Sequence, residues 1–370
     1  MDLYWCSDWD MKGNGYGYSN HTRQMRKWLE HIGVNMTEDA DTAVHIIVPT
    51  GFQPVHNKFN VLFTMYEADE LPPEWIGPLK LADLIVVPCE HNKHLFKRYI
   101  KDIPIEVCPE GVDTDKFKFY QRTPPKSKQW AEIIRGYKQK GYSSGWINKK
   151  VFDLSLEDKD LRPFTFLWVG ASNPRKGYEH IVYAWRKFNL SYPEYAEQCK
   201  LIMKTTQVER AERLIQADNV YIDVRDYSLD NLINLYNYSH AFLFPTMGEG
   251  WGLTLHEAQA TGIPCLYTDF SGPRDFMPRK YAYPLKYKKK VIKTLKTTQE
   301  GKKIPYNQAP AASVDVNYLA RKMAHVMEIY ETALKNGKLA SDYVRKMDWL
   351  SAAKAFKKII EKHRGKNNAG

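Results

Sequence analysis

Short apolar runs alternate with helix-like segments along two successive halves of this chain, and this alternation constrains the fold more than any other feature. The first half contains "MDLYWCS", "AVHIIVP", "NVLFTMY", "ADLIVVPC" and "IEVCPEG", and the second contains "FTFLWVG", "CKLIMK", "NVYIDV", "HAFLFP" and "IPCLYTD". Such runs are typical of strands that are buried on both faces of a parallel sheet, with helices covering the faces. The sequence therefore predicts two doubly wound α/β layers.

The segments between the apolar runs indicate helices. "HTRQMRKWLEHIG" carries apolar residues at helical spacing and ends in Gly33, and "EHNKHLFKRYI" follows the fourth run. "VERAERLIQAD" and "LDNLINLYNYS" are the corresponding segments of the second half. Residues 341–364 read as one further amphipathic helix.

The chain has 370 residues, which is more than one compact core usually holds. We therefore expect two Rossmann-like domains that face each other across a cleft, an N-terminal one over residues 1–120 and a C-terminal one over residues 164–349. Residues 121–163 are expected to be a basic, exposed connection, and a helix at about 350–364 is expected to pack back on the first domain. Ligands of open parallel sheets bind beyond the carboxyl ends of the strands, so the cleft is the expected site.

The net charge of +11 is concentrated in two stretches. Residues 116–150 (the first basic tract) and residues 279–303 (the second basic tract) each hold ten Lys or Arg against one acid, so the rest of the chain is acidic. Aromatic residues lie among the lysines of both tracts. Because lysines neutralise phosphates and aromatic rings stack on exposed bases, such tracts suit a polyanion. The second tract is expected to be an insertion in the C-terminal domain.

The cysteines and the N-terminus indicate the compartment. Five cysteines are scattered without CxxC spacing, which argues against a disulfide framework and against a zinc site. The opening "MDLYWCSDWDMK" lacks the basic start and apolar stretch of a signal peptide. The apolar runs are also far shorter than the roughly 18 residues of a membrane-spanning helix. We therefore expect a cytoplasmic protein.

A glycine-rich loop precedes a helix-like segment in "GEGWGLTLHEAQATGIP", residues 248–264. If the helix begins near Gly252, its first amides lack intrahelical partners and suit a phosphate or diphosphate, and Gly250 would let the backbone approach closely. Glu249 precedes these amides, and Glu257 lies roughly 7.5 Å along the helix. One carboxylate on each side of a diphosphate needs hydroxyl donors at both ends of the ligand. The segment therefore predicts a site for a nucleotide sugar.

The same segment resembles the E-x7-E signature of the family 4 retaining glycosyltransferases, which have the GT-B fold. The resemblance extends along most of the chain: "NGYGYSNHTRQMRKWL" is similar to the family's N-terminal loop and first helix, "CPEGVDTDKF" to its P-x-G-V-D-x-x-x-F, and "FLWVGASNPRKGYEHIVYAW" to the opening of its donor domain. Only the two basic tracts fall outside it. The resemblance implies that the N-terminal domain binds the acceptor and the C-terminal domain binds a UDP- or GDP-sugar.

On the donor side, the resemblance implies that Glu249 holds the hydroxyls of the transferred sugar and Glu257 those of the ribose. Lys176 would neutralise the departing diphosphate, and Arg175 is expected to replace an arginine that the family carries where this chain has Ala171. Backbone amides of the loop and helix start would bind sugar and phosphate, in Gly250, Trp251, Gly252, Leu253 and Thr254. The remaining expected donor contacts are Lys204, Val224 and Arg225 of the C-terminal domain and Gly15 and Gly17 of the N-terminal loop.

On the acceptor side, many relatives carry a His in the segment that here reads "MYEADE". Glu67 is the candidate for that position, as a base or a sugar contact, with a buried structural role as the alternative. Asp113 in "GVD" would face the acceptor cleft or cap the next turn. The family is typically metal-independent, so we expect no metal and no cofactor besides the donor. The resemblance implies transfer with retained anomeric configuration, by front-face departure of the nucleoside diphosphate.

The acceptor is open at the level of sequence. One hypothesis is a hydroxymethylated pyrimidine in DNA, which the basic tracts would bind through its phosphates, with Lys288, Lys289 and Lys290 as contacts and the base flipped into the cleft. The alternative is synthesis of cell-surface polysaccharide or glycolipid at an anionic membrane surface. A nucleotide-sugar-binding protein without transferase activity is the third hypothesis.

Overall fold

The computed structural model describes residues 1–7, 17–205, 219–291, 294–297, 303–307 and 309–367. Within these residues the chain forms two six-stranded parallel sheets, so the prediction of two α/β layers is confirmed. Gly15 and the helix-like segment "VERAERLIQAD" lie outside the described residues.

The first sheet belongs to the N-terminal domain. Its strands are Asp2–Trp5 (β1), Asn35–Met36 (β2), Thr42–Ile46 (β3), Phe59–Phe63 (β4), Leu84–Val87 (β5) and Ile105–Val107 (β6). They pair in the order β2-β1-β3-β4-β5-β6, and the central strands place Val44, Val61 and Leu84 side by side, all fully buried. The helices of this domain are Gly17–His31 (α1), Pro73–Leu79 (α2) and Glu90–Lys97 (α3).

The connection between the domains is largely helical. Ser127–Gln139 (α4) and Ser144–Glu157 (α5) pack against each other as a helical hairpin. Arg122 fixes the start of this segment: its buried guanidinium donates to the carbonyls of Tyr236, Ser239 and Thr261, at 2.9, 3.0 and 2.7 Å. The helices were missed at the level of sequence because the lysines of the first basic tract hide a helical apolar pattern.

The second sheet belongs to the C-terminal domain. Its strands are Phe164–Val169 (β7), Cys199–Lys204 (β8), Val220–Asp223 (β9), Ala241–Phe244 (β10), Cys265–Thr268 (β11) and Tyr283–Leu285 (β12). They pair in parallel in the order β12-β11-β10-β7-β8-β9. The helices around them are Tyr178–Ser191 (α6), Pro193–Ala196 (α7), Leu229–Tyr238 (α8), Leu253–Ala260 (α9) and Pro273–Phe276 (α10). The carboxyl ends of β7 and β10 are central in this sheet, which is where a ligand is expected.

The second basic tract forms part of a two-stranded arm. Tyr287–Val291 (β13) pairs antiparallel with Pro310–Val314 (β16), and Thr294–Thr297 (β14) pairs with Lys303–Asn307 (β15). The arm contacts both domains. Ala309 and Ala311 are buried in the apolar cluster of the N-terminal domain that contains Trp75, and the amide of Ala312 donates to the carbonyl of Met247, just beyond β10, at 2.8 Å.

The C-terminal segment consists of three helices, Val316–Glu328 (α11), Tyr330–Val344 (α12) and Trp349–Asn367 (α13). The prediction of one helix over 341–364 is wrong, because the chain turns between α12 and α13 and Asp348 forms a bridge with Val112. The turn is close to Gly111, where a Cβ atom would lie 2.2 Å from the Trp349 nitrogen. Beyond it, α13 packs against α1 and buries Trp349 and Phe356 in the N-terminal core.

Candidate active site

The glycine-rich loop joins β10 to α9 at the cleft. Gly252 is the N-cap of α9 with φ 109°, a backbone conformation that favours glycine. The first amides that donate within the helix are those of Leu255 and His256, both to the carbonyl of Gly252 at 3.0 and 3.1 Å. The amides of Leu253 and Thr254 precede these bonds and lie at the positive end of the helix dipole. This end of α9 is therefore suited to an anion.

The backbone of Glu249 is fixed by the loop that follows β11. The Glu249 amide donates to Ser271 Oγ at 2.9 Å, and the Gly272 amide donates to the Glu249 carbonyl at 3.1 Å. Ser271 has φ 54°, an uncommon conformation for a residue with a side chain. Ser271 was not among the sequence candidates, because its role depends on a contact between loops that are more than twenty residues apart.

Two cations hold the carboxylate of Glu249. Lys176 Nζ lies 2.9 and 2.8 Å from its two oxygens, and Arg175 donates to it at 3.2 Å and to the Gly248 carbonyl at 2.7 Å. A second nitrogen of Arg175 lies 3.2 Å from Glu67 Oε1, across the boundary between the domains. We call these four residues, Glu67, Arg175, Lys176 and Glu249, the charge network. The structure thus brings together the four residues that sequence reasoning placed at the reacting centre.

A short turn after β7 presents the two cations. Pro174–Lys176 is a 3-10 turn whose N-cap, Asn173, accepts a hydrogen bond from the Lys176 amide at 3.1 Å. The turn ends at Gly177, which has φ 75°, and a Cβ atom there would lie 2.1 Å from the Pro245 carbonyl oxygen. The Met247 amide donates to the Arg175 carbonyl at 2.7 Å. The sequence "RKG" therefore folds against the segment that leads into Glu249.

The charges of this network perturb each other. Burial alone would raise the pKa of Glu249, but the charges and hydrogen bonds of Lys176 and Arg175 outweigh it, so the pKa lies below its ordinary value. Burial lowers the pKa of Lys176, and the charge of Glu249 offsets only part of this effect. Glu249 is therefore held as a carboxylate, which can accept hydrogen bonds from hydroxyl groups.

Glu257 lies in a different environment. Its carboxyl is half-buried, and the hydroxyl of Tyr236 lies 3.5 Å from its Oε2 and 3.3 Å from the Thr254 carbonyl. Burial raises the pKa of Glu257 to about 8, with a smaller lowering by Tyr236 and a further rise from the charge of Asp113. Tyr236, on α8, was not among the sequence candidates. Asp113 accepts from the amides of Asp115 and Lys116 at 3.1 Å, so its side chain caps a turn while its charge reaches Glu257.

Three predicted donor contacts differ in whether their side chains are accessible to a ligand. The indole of Trp251 is buried, donates to His256 Nδ1 at 3.2 Å and stacks on Phe276 with ring centroids 4.7 Å apart. Leu253 packs between the cores of the two domains. The side chain of Thr254 is half-buried. Only backbone groups of Trp251 are therefore available to a ligand.

Three further predicted donor contacts lie at the carboxyl ends of β8 and β9. Lys204 is buried, donates to the Thr205 carbonyl at 3.1 Å and lies 4.9 Å from the ring of Tyr227. The guanidinium of Arg225 is held by Asp223 at 3.1 and 2.6 Å. Val224 is 42% exposed, which leaves its surface open to a ligand.

The glycines near the site differ in what surrounds them. A Cβ atom on Gly250 would lie 2.4 Å from Met65 Sδ, and one on Gly248 would lie 1.8 Å from the Glu67 carbonyl oxygen. The close approach that Gly250 permits is thus made by the N-terminal domain, whereas the sequence had suggested a ligand. Gly17 begins α1 with open space around it.

The start of α4, in the first basic tract, and β13, in the second, lie at opposite ends of the strands of the C-terminal sheet. The Ser127 hydroxyl at the start of α4 bonds to Gln198, which directly precedes β8, at 3.4 Å. The arm instead contacts Met247, beyond the carboxyl end of β10. Within the described residues, β13 therefore borders the cleft, whereas the start of α4 lies away from it. Lys288 and Lys290 are exposed there, and Lys289 pairs with Asp69 of the N-terminal domain.

The described residues contain neither a metal-binding cluster nor a membrane-spanning helix. Among them, no group of three or more His, Cys, Asp or Glu side chains is arranged to hold a metal ion. A search of the same residues finds no helix long and apolar enough to cross a membrane.

A family model covers the part of the chain that carries most of this site. Residues 155–281 match the model of the glycosyl transferases group 1, and this range includes Arg175, Lys176, Glu249 and Glu257. The chain is 22% identical over 245 residues to the UDP-Gal:alpha-D-GlcNAc-diphosphoundecaprenol alpha-1,3-galactosyltransferase of Escherichia coli, covering 61% of this chain and 53% of that protein. The chain spans about half the length of the curated relatives it matches.

Solved structures resemble the whole chain. The sucrose-phosphate synthase of Thermosynechococcus elongatus superposes with a TM-score of 0.64 and 16% identity, over 100% of this chain and 99% of that one. WaaG, a glycosyltransferase involved in lipopolysaccharide biosynthesis, superposes with a TM-score of 0.61 and 13% identity, over 97% and 99%. At these identities the likeness concerns the fold, which is GT-B, as predicted.

The raised pKa of Glu257 predicts a pH-dependent stability. A carboxyl that keeps its proton in the folded state up to about pH 8 makes the protein less stable as pH rises from its ordinary pKa toward that value. The variant Glu257→Gln lacks this proton equilibrium. We expect its melting temperature, relative to that of the unchanged protein, to rise between pH 5.5 and 8 and then to level off.

Differential scanning calorimetry across this pH range measures the effect. Glu132→Gln, at an exposed position of α4, is the control and should show no such trend. A constant difference between Glu257→Gln and the unchanged protein at every pH would contradict the assigned environment of Glu257.

Proposed function

We propose that this protein is a glycosyltransferase that moves a sugar from a nucleoside-diphosphate sugar to an acceptor hydroxyl in the cleft. The observation that carries the proposal is the buried Glu249 carboxylate, which Lys176 and Arg175 hold beside the amino end of α9. Cations, free amides and a carboxylate are the groups that a diphosphate followed by a sugar requires. The match of residues 155–281 to the glycosyl transferases group 1 supports the same conclusion.

The charge network explains how the donor is admitted. Without a ligand, the two cations of the network are balanced by the carboxylates of Glu67 and Glu249. A diphosphate brings at least two negative charges to the amino end of α9 and competes for the same two cations. As Lys176 and Arg175 turn to the phosphates, the oxygens of Glu249 become free to accept hydrogen bonds from the sugar. Capture of the diphosphate and positioning of the sugar are thus coupled.

In this proposal Glu257 binds the other end of the donor. It lies one helical turn beyond the amides of Leu253 and Thr254, and its carboxyl is half-buried beside Tyr236. In this proposal the ribose hydroxyls donate to Glu257, and the exposed Val224 contacts the nucleobase. UDP and GDP donors are both compatible with these contacts.

The reaction in this proposal breaks the bond between the anomeric carbon and the diphosphate oxygen, which leaves with the electron pair. Lys176 and Arg175 stabilise the charge on this oxygen. The acceptor oxygen forms the new bond on the same side of the sugar and gives its proton to the departing phosphate, which is the front-face, retaining course that the resemblance to family 4 implies. Glu67 of the N-terminal domain lies 3.2 Å from Arg175.

The location of the basic tracts favours a glycan acceptor over DNA. The start of α4 in the first tract lies at the opposite end of the strands from the cleft, whereas β13 of the second tract lies beside it. The names of the similar galactosyltransferase and of WaaG refer to lipid-linked and lipopolysaccharide acceptors. We therefore propose an acceptor of polysaccharide or glycolipid synthesis. Hydroxymethylated DNA is the second candidate, because Lys288 and Lys290 are exposed at the rim.

Donor turnover tests the function. The purified protein is incubated with UDP- and GDP-sugars, alone and with a prenyl-diphosphate-linked sugar or a hydroxymethylated duplex, and products are identified by mass spectrometry. We expect release of UDP or GDP and a gain of one sugar mass on an acceptor. Glu249→Gln should lower turnover by roughly 10- to 100-fold, as expected for the loss of a charge-assisted hydrogen bond.

Two controls accompany this test. Glu132→Gln should keep full turnover, and Glu249→Gln should still bind the nucleoside diphosphate, at least as tightly as the unchanged protein does, because it removes a carboxylate that competes for Lys176 and Arg175. Binding of a nucleoside diphosphate without turnover of any donor would instead indicate a nucleotide-sugar-binding protein. Full activity of Glu249→Gln would contradict the assigned site.

Glu67 gives a separate test of the exchange of ion pairs. Glu67 competes with the diphosphate for Arg175, so Glu67→Gln should bind UDP or GDP about 2- to 5-fold more tightly, the range of a partly exposed ion pair. Titration calorimetry measures the dissociation constant. Glu70→Gln, three residues along and exposed, is the matched control and should bind as the unchanged protein does. Unchanged or weaker binding by Glu67→Gln would contradict the competition.

A further inference from the structure

A cluster of charged side chains lies beside the charge network, where the arm meets the N-terminal domain. It consists of Asp69, His91, Arg98 and Lys289, and we call it the Asp69 cluster. Three of its members come from the N-terminal domain and Lys289 comes from the arm of the C-terminal domain. None of these four side chains is among the donor contacts described above.

Two cations share the single carboxylate of Asp69. Arg98 Nη2 lies 3.7 Å from Asp69 Oδ1 and also donates to the Asp69 carbonyl, and Lys289 Nζ donates to Asp69 Oδ2. The Asp69 side chain is 20% exposed, whereas those of Arg98 and Lys289 are 50% and 54% exposed. Asp69 therefore anchors two cations whose side chains are half exposed, and their combined charge of +2 exceeds the single negative charge of Asp69.

Hydrogen bonds and a ring contact position the residues around the cluster. The Asp69 amide donates to the Pro310 carbonyl of the arm at 2.9 Å. His91 Nε2 lies 3.3 Å from the Ala68 carbonyl, and its ring packs edge-on against Phe270 with centroids 4.9 Å apart. Burial lowers the pKa of His91, so it lines the cluster as a neutral ring. The two open cations are thus held at a fixed place between the domains.

The position relates the cluster to the reacting centre. Asp69 is two residues from Glu67, a span of at most roughly 7 Å of chain, and Glu67 contacts Arg175 of the charge network. The Asp69 cluster is therefore within reach of an acceptor whose hydroxyl lies near Glu249 and Glu67.

We infer that Arg98 and Lys289 form a subsite for a phosphate or diphosphate group carried by the acceptor. Two adjacent cations, one of them a guanidinium, suit phosphate oxygens through charge-assisted hydrogen bonds. The inference rests on the proposed function, since it assigns the acceptor end of the same cleft. A lipid-linked diphosphate and a nucleic-acid backbone both present this chemistry.

Binding of inorganic pyrophosphate to the protein saturated with UDP or GDP tests the subsite, because the nucleotide occupies the donor site. Titration calorimetry compares the unchanged protein with the double variant Arg98→Ala/Lys289→Ala. We expect saturable binding that is weakened at least 10-fold in the double variant. Lys140→Ala/Lys149→Ala, two exposed lysines of the first basic tract, is the control with the same charge change and should bind as the unchanged protein does.

The outcomes separate the subsite from the proposed function. Equal pyrophosphate binding by the unchanged protein and the double variant, or none by either, overturns the subsite. Loss of nucleotide binding or of donor hydrolysis in the unchanged protein would instead count against the proposed function. The double variant should keep both.

Competition identifies the source of the phosphate. A short-chain prenyl-diphosphate sugar and a hydroxymethylated duplex are each added to the pyrophosphate complex. Displacement by the prenyl diphosphate supports the subsite with a lipid-linked acceptor, and displacement by the duplex supports it with DNA. If either compound displaces pyrophosphate from the double variant as well as it does from the unchanged protein, the assignment to Arg98 and Lys289 is overturned.

Discussion

The ion pairs that Lys176 and Arg175 make with Glu249 are the interaction on which the rest of the site depends. Charges that leave water are costly unless they are paired and hydrogen-bonded, and Glu249 is 5% exposed. The chain meets this condition with two cations from one 3-10 turn. Gly177 lets that turn fit against Pro245, and Ser271 fixes the Glu249 backbone. An anionic ligand that pairs with Lys176 and Arg175 therefore competes with the ion pairs that hold Glu249.

The contact between the domains serves the same site. Gly248 and Gly250 lack the side chains that would collide with Glu67 and Met65, so the loop before α9 lies directly against the acceptor-side segment. The arm adds a second connection, because Ala311 is buried in the N-terminal core while Ala312 bonds to Met247. In the proposed function, these two connections hold the donor and acceptor contacts at a short separation, and the Asp69 cluster lies where the connections meet.

Ten of the twelve strands of the two sheets could be predicted from the apolar runs, whereas β2 and β12 were missed. The GT-B architecture and the grouping of Glu249 with Lys176 followed from the resemblance to the family 4 glycosyltransferases. The roles of Ser271 and Tyr236 could not be predicted, since each depends on packing between elements that are distant in the chain. The arm was read as a basic insertion, because its lysines interrupt the apolar residues that would indicate strands. The two helices after Arg122 were missed for the same reason.

A structure of the protein with UDP or GDP bound tests the central claim most directly. The account predicts that the diphosphate lies at the amino end of α9, that Lys176 and Arg175 contact its oxygens, and that Lys176 no longer makes both of its present contacts with Glu249. The nucleoside should extend toward Glu257. A nucleotide bound elsewhere, or at α9 with the charge network unchanged, would contradict it.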